Sequence, residues 1–342
     1  ALTRPTNLRR PRAQGGALYD AAGGALLREV ACDFCGGEST SAFLELQDLL
    51  LGLPGAFSLV KCDTCGLLFL NPRPSPEELQ AHYPDHYHPF TNDIEGHPSP
   101  FVRFVRRYGL VRRCRAVLQG QDGGRLLDVG CSTGLFLNEM RRHSDWDVHG
   151  VEPVASAAAS AREHFGLDVF QGTLPESAYP DAFFDVVTLW DVLEHVSSPS
   201  TYLREIHRVL RPGGRLIIKV PDPECWEADL LGPFWIGYDA PRHLFGFPRS
   251  VLIHQLRDRG FKMEFVQCLT GGFFTLTTSL GFWLDAHGAK RLGRLLRAAA
   301  HSPMVRVSTA PAFALLRQLA LGSSLTYFAR RNTTRGEGYQ SL

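Results

Sequence analysis

From residue 125 to 220 the apolar and polar positions follow two periods in turn. Arg125-Leu-Leu-Asp-Val129 is a short apolar run that passes through Gly130-Cys-Ser-Thr-Gly134 into an amphipathic stretch ending at Met140. Similar runs at 146–151, 167–170, 183–189 and 214–220 predict strands. Segments 154–165 and 198–210 predict helices, and Tyr202, Leu203, Ile206, Val209 and Leu210 show the helical spacing. Strands and helices in strict alternation imply an α/β fold with a doubly wound sheet.

Upstream the pattern is different. Ala1 to Ala13 are rich in Arg and Pro and lack the apolar stretch of a secretory signal, so a loose tail over 1–28 is expected. A linker carrying Pro72, Pro74 and Pro76 is followed by an Arg-lined helical stretch around 101–118, and together they make a linker and helical cap over 73–120. The pattern changes again at Gly123-Gly124, where a core domain over 121–270 begins. No charge occurs from Phe265 to Leu284, but Gly271, Gly272 and repeated Thr and Ser interrupt that stretch, which fits a strand and a buried helix better than a membrane span.

Cys32-Asp-Phe-Cys35 and Cys62-Asp-Thr-Cys65 are each followed by Gly, a doubled C-x-x-C pattern. Each pair can place two thiolates on one tetrahedral ion, so residues 29–72 are expected to form a zinc-binding module with Cys32, Cys35, Cys62 and Cys65 as ligands. Four sulfurs close the coordination sphere, which makes that zinc structural. His82, His86 and His88 could hold a second metal, but their aromatic and Pro neighbours favour a packed loop.

Composition narrows the function classes. Of the 342 residues, 44% are hydrophobic, enough for a sizeable core, and the formal charge is +1. Neither that balance nor the acidic stretch between the cysteine pairs (Glu38, Glu45, Asp48) suits a nucleic-acid partner. Arg103, Arg106, Arg107, Arg112, Arg113 and Arg115 form a cluster without acids, read as a solvated face ahead of a phosphate or membrane contact. With no export signal, reduced thiols and a cytoplasmic location are expected.

The turn at Gly130-Gly134 suits a nucleotide-like ligand, because the backbone must approach it closely. It does not reproduce the dinucleotide fingerprint G-x-G-x-x-G, since Ser132 and Leu135 stand at the second and third glycine places, and an NAD-dependent oxidoreductase is disfavoured. Two acids, Asp128 and Glu152, stand at successive strand tips, and Glu152 can accept both hydroxyls of a ribose. In Leu126-Leu-Asp-Val-Gly-Cys-Ser-Thr-Gly134, Gly150-Val-Glu-Pro153, Phe184-Asp-Val-Val-Thr-Leu-Trp-Asp-Val-Leu-Glu-His-Val196 and Leu210-Arg-Pro-Gly-Gly-Arg-Leu216 the chain resembles the class I S-adenosylmethionine-dependent methyltransferases. With its four-cysteine module it is similar to a bacterial subgroup of that family.

The resemblance implies a Rossmann-like seven-stranded methyltransferase sheet whose last strand, Ser324–Ala329, inserts antiparallel beside Phe261–Leu269. Residues 271–323 then form a helical insert that caps the sheet, and 324–342 hold the last strand and a tail. Asp128, Gly130, Cys131 and Gly134 would line the methionine part of the cofactor, Glu152 and Pro153 the ribose, and Trp190 and Asp191 the sulfonium end. Relatives carry an acid after the third strand, where this sequence has Gln171-Gly-Thr-Leu174, so Gly172, Thr173 and Leu174 would meet the adenine through the backbone.

Methyl transfer needs alignment of the acceptor and exclusion of water. Trp226, Trp235 and Tyr238, in a Gly- and Pro-broken loop after the fifth strand, are expected to wall a substrate pocket. His243, with His195 as the other candidate, is expected as general base, since an imidazole titrates near working pH. The sequence thus leads to a small-molecule methyl acceptor, a natural-product intermediate or sugar, with O-methylation favoured over C- or N-methylation. Carrier-protein or membrane-surface contact through the insert has no support in the sequence.

Overall fold

The computed structural model describes residues 27–75, 78, 79, 82, 83, 100–119, 121, 123–143, 145–269, 272–300, 302–319 and 321–333. Residues 1–26 of the expected tail, and His86 and His88, lie outside them.

At the N-terminal end β1 (Leu27–Arg28), β2 (Thr40–Leu46), β3 (Phe57–Cys62), β4 (Leu68–Leu70) and β5 (Arg73–Pro74) come before the long α1 (Pro100–Leu118). The core then runs β6 (Gly124–Val129), α2 (Leu135–Met140), β7 (Trp146–Glu152), α3 (Ala155–Phe165), β8 (Asp168–Gln171), β9 (Phe184–Trp190), α4 (Pro199–Val209) and β10 (Leu210–Pro221). After these come α5 (Trp226–Leu231), β11 (Phe245–Gly246), α6 (Arg249–Asp258), β12 (Phe261–Gln267), α7 (Phe273–Ala286), α8 (Lys290–Ala300), α9 (Pro303–Gln318) and β13 (Ser324–Arg331).

Seven strands form the main sheet in the order β12-β13-β10-β9-β6-β7-β8. The strands from β8 to β10 pair in parallel, while β13 pairs antiparallel with both β10 and β12. Helices on both faces bury the middle strands, where Val186, Val187 and Leu189 of β9 and Leu216, Ile217 and Ile218 of β10 are fully buried. Helix α4 turns Leu203, Ile206 and Val209 inward, each fully buried. Each such side chain contributes about 1.5–3 kcal/mol of transfer free energy. Ser198 caps that helix by accepting from Thr201 N, with Pro199 in its first turn. Strand β10 starts earlier than the apolar run at 214 suggests, because Leu210 already pairs with Phe184 ahead of the turn at Gly213.

A second sheet has the order β11-β4-β3-β2. Its outer strand β11 comes from beyond the fifth strand of the main sheet and pairs with β4 through Phe245 and Phe69. The N-terminal segment is thereby stitched to the segment that follows Pro241. Among the described residues no helix is long and apolar enough to cross a membrane.

Candidate functional site

A cavity of about 940 Å³ opens at the carboxyl ends of β6, β7 and β9, where an α/β sheet offers a crevice. One side of it is built by the turn after β6. Gly130 N and Cys131 N both donate to Val151 O, at 2.8 and 3.1 Å, so the turn is tied to the tip of β7. Gly130 has φ 70, and a Cβ there would stand 2.6 Å from Val192 Cγ2, so the position demands glycine. Asp128 sits beneath the turn, takes a 2.6 Å hydrogen bond from Thr188 Oγ1, and burial raises its pKa to about 7. Glu152 accepts from Ser132 N and Val154 N at 2.8 and 2.9 Å, and burial raises its pKa as well. A carboxylate has about four lone-pair sites, so both oxygens keep capacity for a diol.

Cys131, Pro153, Gly172, Thr173, Trp190 and Asp191 also line the cavity. Gly134 does not touch it; with φ 79 it shapes the start of α2 and packs on α3. Leu174 is fully buried and does not line the cavity with Gly172 and Thr173. The cavity matches a sulfonium nucleoside in its chemistry: two buried carboxylates and a backbone turn stand at one end. The indole N–H of Trp190, another lining residue, is buried and without a hydrogen-bond partner among the described residues.

The sequence reading passed over Lys219 and took Arg113 for part of a solvated face, whereas both stand at the cavity. Lys219 Nζ meets Asp191 at 2.5 and 2.6 Å, and Arg113 stands 3.8 Å from the same carboxylate and 5.2 Å above the Trp190 ring. Burial alone would raise the Asp191 pKa, but these cations hold it low. Asp191 adopts φ 58, a conformation that costs a non-glycine residue on the order of 1 kcal/mol and is kept by the Lys219 pair and the 3.0 Å bond from its N–H to Lys219 O. A charge inside the apolar run Leu216-Ile-Ile-Lys-Val220 was the available signal.

Also lining the cavity, His195 and His243 stand edge to face, 4.5 Å between ring centres, with Glu194 beside them. Burial pushes the His195 pKa down to about 3 and that of His243 down as well, so both rings are neutral at working pH. Burial, with Asp191 nearby, pushes Glu194 well up.

The expected aromatic walls are elsewhere. Trp226 donates to Leu321 O at 3.0 Å, and Trp235, 1% exposed, packs edge-on against buried Tyr238. None of the three lines the cavity. The reason is two short 3-10 turns, Gly232–Phe234 and Ile236–Tyr238, which present Ile236 and Gly237 to the cavity and send the large rings back into the core. A Cβ on Gly237 would lie 2.2 Å from the Trp235 ring, so the indole can fold there only over a glycine.

The four cysteine sulfurs lie within 4.8 Å of one another, with Cys32 to Cys65 at 3.4 Å and Cys35 to Cys62 at 3.5 Å. Disulfide sulfurs would stand about 2.05 Å apart. Four sulfurs about 2.3 Å from one tetrahedral ion stand about 3.8 Å apart, close to what is seen. The two pairs form matching knuckles, with Gly36 N donating to Cys32 O at 2.8 Å and Gly66 N to Cys62 O at 2.9 Å. His82, read as a packed residue, sits buried against Asp48 at 3.2 Å.

The segment that carries His243 is held from several sides. Arg242, fully buried, bonds Asp48 at 2.8 and 2.9 Å and also Asp239. Leu244 N and Phe245 N donate to Glu194 O, and Leu244 O accepts from Leu70 N.

A family model described as a methyltransferase domain matches residues 102–265. The ubiquinone biosynthesis O-methyltransferase of Pseudomonas paraeruginosa is 29% identical over 163 residues, which span 44% of this chain and 70% of that protein. The 27-O-demethylrifamycin SV methyltransferase of Amycolatopsis mediterranei is 35% identical over 131 residues, 35% of this chain and about half (48%) of that one. Among solved structures, the 4+2 cyclase SpnF superposes with a TM-score of 0.51 at 23% identity, covering 77% of this chain and 98% of its own, which speaks to the fold alone. Strand order, the turn motifs, the family model over residues 102–265 and the relatives agree in supporting a class I S-adenosylmethionine-dependent methyltransferase.

Proposed function

We propose that the protein methylates an oxygen of a small hydroxylated metabolite, such as a natural-product intermediate or sugar. The observation that carries this is one cavity lined both by a cofactor-like cradle and by the His195–His243 pair. In this reading Asp128, Gly130 and Cys131 face the methionine part, Glu152 and Pro153 the ribose, and Gly172 and Thr173 the adenine. S-adenosylmethionine, when bound, supplies an electrophilic methyl on a sulfonium. Trp190 and Asp191 flank that methyl, the aromatic ring excludes water, and the acceptor enters against His195 and His243, where its proton is lost. The names of two relatives, an O-methyltransferase and a 27-O-demethylrifamycin methyltransferase, support oxygen as the acceptor atom.

Zinc at Cys32, Cys35, Cys62 and Cys65 is part of the same proposal, as a structural ion that takes no part in the transfer. So is the division into a module over 29–72, a linker and cap over 73–120, a core over 121–270, an insert over 271–323 and a last strand with tail over 324–342.

The test supplies methyl-labelled S-adenosylmethionine and a panel of hydroxylated metabolites. Label in an O-methyl product is expected, and His243→Ala should lower its formation by about a hundredfold or more with cofactor affinity unchanged. Label found only on carbon or nitrogen sinks the O-methyl reading, and normal turnover in the variant sinks the role of His243.

A further inference from the structure

Glu194 is fully buried, yet neither of its carboxylate oxygens has a hydrogen-bond partner among the described residues. A carboxylate left this way in a folded protein calls for a bound ion, a water or a retained proton. Its neighbours show which. His195 Nδ1 lies 3.0 Å from Arg242 O, with the Tyr83 hydroxyl also 3.0 Å away, and His243 Nδ1 lies 2.8 Å from Gly237 O. A carbonyl only accepts, so each ring carries its hydrogen on Nδ1 and keeps a lone pair on Nε2. Backbone carbonyls that fix the tautomer in this way are the usual support behind histidines that bind a metal.

One ring nitrogen of each histidine and a carboxylate oxygen of Glu194 lie within 4.8 Å of one another. Donors about 2.1 Å from a shared ion stand roughly 3 to 3.5 Å apart, so side-chain shifts on the order of 1 Å complete the set. We propose that Glu194, His195 and His243 bind one divalent first-row transition-metal ion at the acceptor end of the cavity. Two imidazoles and a carboxylate suit such an ion better than calcium or magnesium, which favour all-oxygen sites.

Unlike the four-cysteine set, three ligands leave positions open toward the cavity. The inference rests on reading that end as the acceptor pocket, and it gives the ion a use there. An acceptor hydroxyl bound to it becomes more acidic and releases its proton to cavity water. The electron pair left on oxygen forms the new O–CH3 bond, and the pair of the broken S–CH3 bond returns to sulfur.

The experiment uses full-length protein with zinc retained at the cysteines, and titrates Mn²⁺ while free ion is followed by electron paramagnetic resonance. One bound Mn²⁺ per chain is expected, with affinity at least tenfold weaker in Glu194→Gln and in His243→Ala while S-adenosylmethionine binding, read by calorimetry, stays as in the unaltered protein. Absence of bound Mn²⁺, or unchanged Mn²⁺ affinity in both variants, overturns the metal site. If the ion fails to bind while His243→Ala still loses turnover, the acceptor pocket stands without its metal. If the ion binds at these residues but its removal leaves turnover intact, the site stands and its use in the transfer falls.

Discussion

The four cysteines and the Glu194–His195–His243 group both gather ligands within 4.8 Å, but they are built in opposite ways. The cysteines come as two local knuckles, each closed by its own glycine turn, and four sulfurs fill a tetrahedron. In the second group the adjacent Glu194 and His195 meet a histidine from a distant loop, and carbonyls of Arg242 and Gly237 orient the rings. The first group can shape its surroundings, whereas the second depends on them. They are also connected: β11 extends the sheet of the cysteine module immediately after His243, and Asp48 from that module grips Arg242 immediately before it. The cysteine-bearing segment therefore has a physical task, holding the loop that carries His243.

The sharpest way to break the comparison is Cys62→Ser. Binding to a structural zinc is on the order of 10 kcal/mol of folding free energy in small modules, so the variant should hold less than half an equivalent of zinc and lose a large part of its thermal stability. Elemental analysis and thermal unfolding check this; full zinc content would remove the cysteines as ligands. A smaller effect is expected from Asp48→Asn, which takes one anion from the buried Arg242 and should cost about 3 kcal/mol in denaturant unfolding. Zinc should be retained while Mn²⁺ affinity and turnover fall together. A change below about 0.5 kcal/mol, with both properties intact, would show that the two groups are independent.

What could be read in the sequence follows the same division. Strand β6, the turn at Gly130, Glu152 and the cysteine pairs are local patterns, in which spacing alone determines which groups converge. The positions of the aromatics were not legible, because two 3-10 turns decide which way Trp235 and Tyr238 point, and turn type depends on the core they meet. His243 could be picked as an imidazole in the right loop, but its pairing with His195 required two distant segments to meet. Lys219 and Arg113 act across elements in the same way, and β11 shows a module boundary drawn from sequence crossed by two residues of a later segment.

A second buried glutamate tests whether the lack of partners at Glu194 is what sets it apart. Glu227 is 1% exposed, but Ser323 Oγ donates to it at 2.8 Å, and burial raises its pKa from an ordinary 4.5 to about 7. Between those two values the folded protein keeps a proton that the unfolded chain has released. The contribution of Glu227 to stability is therefore complete below about pH 4.5, falls as pH rises toward 7, and is lost above it. Glu227→Gln keeps an acceptor for Ser323 and cannot ionise, so relative to the unaltered protein it should gain about 2 kcal/mol between pH 5 and pH 7.5. Urea unfolding of both proteins at the two pH values reads the difference directly, and pH effects at the cysteines cancel in the comparison. Mn²⁺ affinity should not change, since Glu227 meets its need for a partner within the protein. Parallel pH profiles would show that Glu227 does not hold its proton, and a loss of bound Mn²⁺ would mean that the two acids are not distinct in the way their partners suggest.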